Sequence, residues 1–228
     1  MAKEMREKPP CKILTPEQTR FLELVASEDY LCRNFYFTGG TPLSVFYLRH
    51  RLSEDIDLFS EREIYLPAIR VFIRKTQRQF KLRRIDYNKF LGLNSFQLVL
   101  PNHAVLKVDF NYYPFERIAE GQKYFNLAVD SVLDIAVNKT ETIATQPRAR
   151  DFIDLYFIIS RYRYSLSDLL RKARTKFDWH IDYLNFGSHL LAARELKDYP
   201  RMIEPINHEE WKQFFTQEAK KLKKDIFE

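Results

Sequence analysis

Residues 39–57 confine the chain to a path of strand, turn, helix and strand. They read Gly-Gly-Thr-Pro-Leu-Ser-Val-Phe-Tyr-Leu-Arg-His-Arg-Leu-Ser-Glu-Asp-Ile-Asp. The aromatic run 35–37 before them suits a short buried strand that delivers the chain into Gly39-Gly40. Thr41 suits a helix cap and Pro42 the first helical position, where a missing N–H costs nothing. A brief helix is therefore predicted over 43–49, and a strand over 56–59. A helix N-terminus behind two glycines points free N–H groups outward and lets an anion come close. That makes Gly39, Gly40 and Thr41 candidates for holding phosphates. Asp55 and Asp57, two apart in extended chain, project from one face. Carboxylates so placed repel each other unless a cation sits between them, and Mg²⁺ shared with nucleotide phosphates meets that need. The combination points to nucleotide chemistry.

The rest of the chain divides into two parts. Thr15-Pro16-Glu17-Gln18 is a capping box with proline at the first helical position. It opens an amphipathic helix predicted to reach about Leu31, with Phe21, Leu24, Val25 and Leu31 buried. A second helix is predicted over 67–80, with Ile69, Phe72, Ile73 and Phe80 on one side. Strands follow over 82–87, 96–100 and 105–112. In the last, Val105, Lys107 and Asp109 alternate with Leu106, Val108 and Phe110, the period of a strand with two distinct faces. From Ser131 onward the pattern is helical, with helices predicted over 131–144, 149–161, 166–176, 181–196 and 208–226. The expected architecture is α+β: a mixed sheet with flanking helices in a domain over 1–126, and an all-helical domain over 127–228. The second is expected to complete an active-site cleft, with Asp55, Asp57 and Asp109 on one wall.

Composition narrows the function further. Nineteen Phe and 13 Tyr among 228 residues supply a large aromatic core, and only five Gly argue against a turn-dense all-β protein. The net charge of +6 favours an anionic partner, nucleic acid foremost, although a basic surface also serves solubility. The basic stretch 220–224 reads as a solvated helix face. Cys11 and Cys32 are too few for a disulfide framework and lack metal-ligand spacing, which suggests a reducing cytoplasm. Residues 1–12 have no apolar core and do not read as a signal peptide, and no apolar run approaches a membrane span, so a soluble protein is expected. The five histidines show no ligand spacing, and no P-loop is present.

Asp109 adds a third acid on a later strand. Three carboxylates from adjacent strands are able to hold two Mg²⁺ ions, one on a triphosphate and one at an attacking hydroxyl. Together, Gly39-Gly40-Thr41 and Arg51-x-Ser53-x-Asp55-Ile56-Asp57-Leu58-Phe59 resemble the first motif of the AbiEii/AbiGii nucleotidyltransferase family, within the DNA polymerase beta-like superfamily. Lys139, followed by Arg150-Asp151-x-x-Asp154-Leu155, resembles that family's second signature. Proline replaces the more usual small residue after Gly-Gly-Thr. The resemblance implies Mg²⁺-dependent transfer of a nucleoside monophosphate from an NTP to an acceptor hydroxyl, with RNA (the tRNA end) as acceptor and a cognate antitoxin as partner. It implies Asp55, Asp57 and Asp109 as metal ligands, with Asp109 activating the nucleophile. Gly39, Gly40, Thr41, Ser53 and Lys139 would meet the NTP, and Asp151, with Arg150 and Asp154, would order the site or contact substrate. Arg51 either neutralises the acids or meets a phosphate. A protein or small-molecule acceptor, or an inactive binding module, are the alternatives.

Overall fold

The computed structural model describes residues 4–5, 13–178 and 182–227, with side chains for 13–178 and 182–222. The readings made above for residues 1–12, for Cys11, for the start of the 181–196 helix and for the side chains of Lys223 and Lys224 lie outside those residues. Cα packing divides the chain into two units. One comprises Met1–Tyr47 and Ser53–Ser131; the other comprises Leu48–Leu52 and Val132–Glu228. The helical unit thus begins just past Ser131 and also takes in five residues from inside the Gly39–Asp57 segment.

The first unit contains β1 (Glu4–Met5), α1 (Pro16–Ala26), α2 (Asp29–Asn34), β2 (Tyr36–Thr38) and a short helical turn, α3 (Gly40–Pro42). It continues through β3 (Ile56–Ser60), α4 (Leu66–Phe80), β4 (Arg84–Phe90), β5 (Leu93–Val99), β6 (Val105–Tyr112), β7 (Lys123–Tyr124) and β8 (Leu127–Val129). The capping box forms as the sequence requires: Thr15 accepts from the Gln18 N–H, and the Gln18 side chain accepts from the Thr15 N–H. The helix expected to reach Leu31 is instead two. Ser27 closes α1 by donating its hydroxyl to the Leu24 carbonyl, and Glu28 is extended before α2 begins. The helix predicted over 43–49 is a π-helical turn over Leu43–Leu48, after which Arg49 turns left-handed at φ 58°.

The strands form one mixed sheet in the order β1-β7-β8-β2-β3-β6-β5-β4. β3 lies antiparallel to β2 and parallel to β6, and β6-β5-β4 is an antiparallel meander. Alternation sorts the side chains. Ile56 and Leu58 of β3, Phe96 and Leu98 of β5, and Leu106, Val108 and Phe110 of β6 share one core with Phe21, Leu22 and Val25 of α1 and Ile69, Phe72 and Ile73 of α4. The intervening residues of β3 and β6, among them Asp57, Lys107 and Asp109, project from the other face. β7 and β8 extend the sheet beyond the strands expected from sequence.

The second unit holds α5 (Val132–Thr145), α6 (Ala149–Tyr162), α7 (Leu166–Phe177), α8 (Tyr183–Ala192) and α9 (His208–Phe227). α5 packs against α6, α7 and α8, and α9 against α6 and α8. Phe152 stacks on Trp211 and meets Phe215 edge-on, and all three rings are buried. Leu48–Leu52 is stitched into this unit by its backbone. The His50 carbonyl accepts from the N–H groups of Ile203 and Glu204, Leu52 donates to the Arg201 carbonyl, and Arg161 donates to the Leu48 carbonyl.

Candidate active site

In the sheet unit, the turn after β2 is built around a glycine that no other residue replaces cheaply. Gly39 has φ +87°, and a Cβ there would stand 2.7 Å from Asp57 Oδ2. Gly39 is also the residue that caps the helical turn. Thr41, expected as the cap, is fully buried inside the turn. Its hydroxyl donates to the Asp55 carbonyl at 2.5 Å and lies 2.8 Å from Ser53 Oγ. The Gln18 amide adds hydrogen bonds to the carbonyls of Ser53 and Glu54. The turn and the start of β3 are thereby fastened together, which fixes where Asp55 and Asp57 begin.

Register sets the acids side by side. Asp57 and Asp109 are partners across the parallel β3–β6 pair. Across β5–β6, Ser95 is the partner of Asp109 and donates to its Oδ1 at 2.6 Å. Lys107, two residues before Asp109 and on the same face, puts Nζ 2.9 Å from Asp109 Oδ2 and 3.4 Å from Asp55 Oδ2. Burial works against the Lys107 ammonium, but the Asp109 hydrogen bond and the charges of Asp109, Asp55 and Asp57 outweigh it and raise its pKa. On the other flank Thr38, the partner of Asp57 across β2–β3, donates to buried Asp130 at 2.6 Å. The Lys107 ammonium therefore lies among three acids and supplies the positive charge there. Among the described residues no three carboxylate, imidazole or thiolate groups close around a metal-sized point. The donors themselves are all carboxylate oxygens, hard ligands of the kind that divalent cations such as Mg²⁺ take.

The helical unit holds a second constellation around buried Asp154. Arg51 grips it with two donors, Nε to Oδ1 at 2.6 Å and a terminal nitrogen to Oδ2 at 2.8 Å, and donates also to the Leu52 carbonyl. His50 Nε2 donates to Oδ1 at 2.8 Å, while its buried Nδ1 has no partner among the described residues. Lys139 Nζ bridges Asp154 Oδ2 at 2.8 Å and Asp151 Oδ1 at 2.5 Å, and Arg148 Nε reaches Asp151 Oδ2 at 2.8 Å. Burial would raise the Asp154 carboxyl, yet the charges of Arg51 and Lys139 and the hydrogen bonds from Arg51 and His50 hold it well below the usual carboxylate range. Asp151 is likewise lowered against its burial by Lys139 and Arg148. Burial pushes His50 below its ordinary value despite its bond to Asp154, so the ring is neutral. The cluster carries one more positive than negative charge.

The sequence reading located the three acids, Lys139, Asp151 and Asp154, but missed Lys107, Ser95, His50 and Arg148 as parts of these clusters. Period-two alternation was enough to find Lys107 beside Asp109. Nothing local marks His50 and Arg51 as partners of a residue more than a hundred positions away.

A mixed sheet carrying a Gly-Gly turn, an acid pair and a third strand acid defines this chain as a nucleotidyltransferase. The family profile described as "Nucleotidyl transferase AbiEii toxin, Type IV TA system" matches residues 20–226, and the chain belongs to that family. Its members act on an NTP with a divalent metal, and a type IV toxin implies a cognate antitoxin. The uncharacterized protein aq_aa25 of Aquifex aeolicus (strain VF5) is 28% identical over 210 residues, covering 91% of this chain and 96% of that protein. Among solved structures, JHP933 from Helicobacter pylori superposes with a TM-score of 0.58 at 16% identity, covering 94% of each chain. A candidate nucleotidyltransferase from the same organism gives 0.57 at 18% identity, covering 93% of this chain and 97% of that one. At such identities these two likenesses establish the shared fold alone.

Proposed function

We propose that this protein transfers a nucleoside monophosphate from an NTP to a hydroxyl of RNA, at the tRNA end, and acts as the cytoplasmic toxin of a toxin–antitoxin pair. The observation that carries the reading is the register of Asp57 against Asp109 on adjacent parallel strands, with Asp55 beside them at a shared cation. Asp55, Asp57 and Asp109 would hold two Mg²⁺ ions. Such ions, when bound, neutralise the triphosphate and lower the pKa of the attacking hydroxyl. Asp109, oriented by the Ser95 hydroxyl, takes the position of the group that draws the proton from that hydroxyl. The backbone N–H groups of Gly39, Gly40 and Thr41 approach the phosphates, because glycine leaves the path open.

Within the helical unit, Lys139 is the cation whose surroundings suit an anionic partner. Asp151 and Asp154 take two of its three N–H bonds, which orients the ammonium and leaves the third donor without a partner among the described residues. Phosphoryl transfer rests on this kind of positioning and charge neutralisation. Arg51 is spent on Asp154 and the Leu52 carbonyl, which favours a positioning role over phosphate contact. Ser53 fastens the turn through Thr41.

The test is incubation of the purified protein with each labelled NTP, Mg²⁺ and either total RNA or lysate. Label is expected in tRNA, and Asp57→Ala is expected to abolish it while the fold is retained. Label in protein or in a small molecule would replace RNA as the acceptor. No incorporation by a protein that binds the Mg²⁺–NTP complex would make this a binding module.

A further inference from the structure

An excess of positive charge is gathered on α4 and the short stretch after it. Residues 66–84 hold seven of the 37 basic residues and none of the 31 acidic ones; without them the net charge of +6 turns slightly negative. On α4 the stripe Ile69, Phe72, Ile73, Thr76 and Phe80 is buried. Arg70, Arg74, Arg78 and, just past the helix, Lys81 are exposed on the outward side. The i, i+4, i+8 spacing sets the three arginines in a row, about 6 Å apart at 1.5 Å per residue.

The other cations of the segment have partners: Lys75 pairs with Glu28, Arg84 with Asp86, and Arg83 meets the His103 ring. Arg70 lies over the Tyr87 ring. None of the four cations in the row pairs with a carboxylate among the described residues. Like charges at this spacing destabilise a helix, so the row costs the fold stability.

We propose that this row binds the backbone phosphates of a folded RNA, at a part of the molecule remote from its reacting end. The inference rests on RNA being the acceptor. Phosphate contact needs only correctly spaced cations, and arginine adds a bidentate fit to each phosphate. A protein interface would centre on apolar side chains, whereas the one large apolar residue exposed on α4 is Val71. Location decides what the row touches. α4 covers the core side of the sheet and the acids project from the opposite face, so the sheet and the full width of a helix, about 10–12 Å, lie between them. A mononucleotide at Asp57 cannot reach the row, but a folded RNA extends around the unit.

The experiment measures binding of a labelled, transfer-RNA-sized folded transcript by fluorescence anisotropy, from roughly 50 to 300 mM salt. It compares the wild type, the row variant R70Q/R74Q/R78Q/K81Q, and a control, R171Q/K172Q/K220Q/K221Q, that loses the same charge elsewhere. Thermal melts verify that both variants fold. The row variant is expected to lose about ten-fold or more in affinity at the low-salt end, and the slope of log K on log salt should shrink by about 2 to 4, at 0.7–0.9 per lost contact. The control should keep the wild-type slope, and Mg²⁺–ATP binding should be equal in all three. If the row variant binds RNA as the wild type does, or the control falls equally, the row is not the site, while the RNA acceptor stands. If the wild type binds no folded RNA at low salt but captures polyglutamate through the row, the RNA reading fails and an acidic protein takes its place.

Discussion

The Cβ that Gly39 lacks would lie 2.7 Å from Oδ2 of Asp57, so the turn and the acid pair share one space. Gly39→Ala meets two obstacles, a left-handed backbone and a carboxylate in the way. We expect it to cost about 1–2 kcal/mol of stability and to lower turnover far more than that loss explains. Denaturant melts set against single-turnover rates check this; an alanine variant with wild-type turnover would mean that Asp57 need not stand where it does.

Lys107 holds Asp109 and Asp55 together through its ammonium. Lys107→Met keeps the stem and removes the charge. The pair is partly open to solvent, so the loss should be about 1 kcal/mol or less, or roughly 2–4 °C in Tm for a chain of this size. The sharper readout is the divalent cation. Stabilisation by Mg²⁺ over EDTA should be larger in the variant, whose carboxylates lack their internal cation. Equal Mg²⁺ shifts would show that Lys107 does not neutralise the cluster.

Asp154 is the hub of the helical unit's ion network. Asp154→Ala strands the Arg51 guanidinium in a buried setting and leaves Lys139 with Asp151 alone, which typically costs about 3–5 kcal/mol, or about 6–20 °C in Tm. Replacing both partners, as in Arg51→Met with Asp154→Leu, should cost less than the two single changes summed, because neither charge is left alone. Strict additivity in thermal melts would argue against the pairing.

Acid should unfold the protein in two stages. Burial keeps His50 neutral in the fold, whereas in the unfolded chain it protonates near 6.5, so stability begins to fall as pH drops through that value. Asp151 and Asp154 stay ionised in the fold below the ordinary 3.8. Their contribution is complete above that value and is lost as pH falls further toward their lowered folded pKa values. His50→Gln keeps a donor toward Asp154 and removes the titration. It should flatten the stability curve just below pH 6.5 and leave the lower stage in place.

Much of this architecture is legible in the sequence because its signals are local. α4 and α6 follow their apolar spacing, β6 follows strict alternation, and the capping box at Thr15 forms as written. β7 and β8, at two and three residues, are too short for a period to register. The break at Ser27 turns on a hydroxyl competing for a helical carbonyl, which composition does not announce. Within the site, the Gly-Gly turn and the three acids were readable from spacing. The capture of Thr41 by the Asp55 carbonyl and the grip of Arg51 on Asp154 were not, since both are set by tertiary contact.

The Leu48–Leu52 stretch has a consequence for how such a protein is cut and recombined. The polypeptide passes between its two units three times, so neither unit is a single uninterrupted length of gene. A fragment ending at Ser131 would carry His50 and Arg51 without Asp154, and a fragment starting at Val132 would carry Asp154 without them. Swapping one half alone for another chain's would separate a buried carboxylate from the arginine that neutralises it.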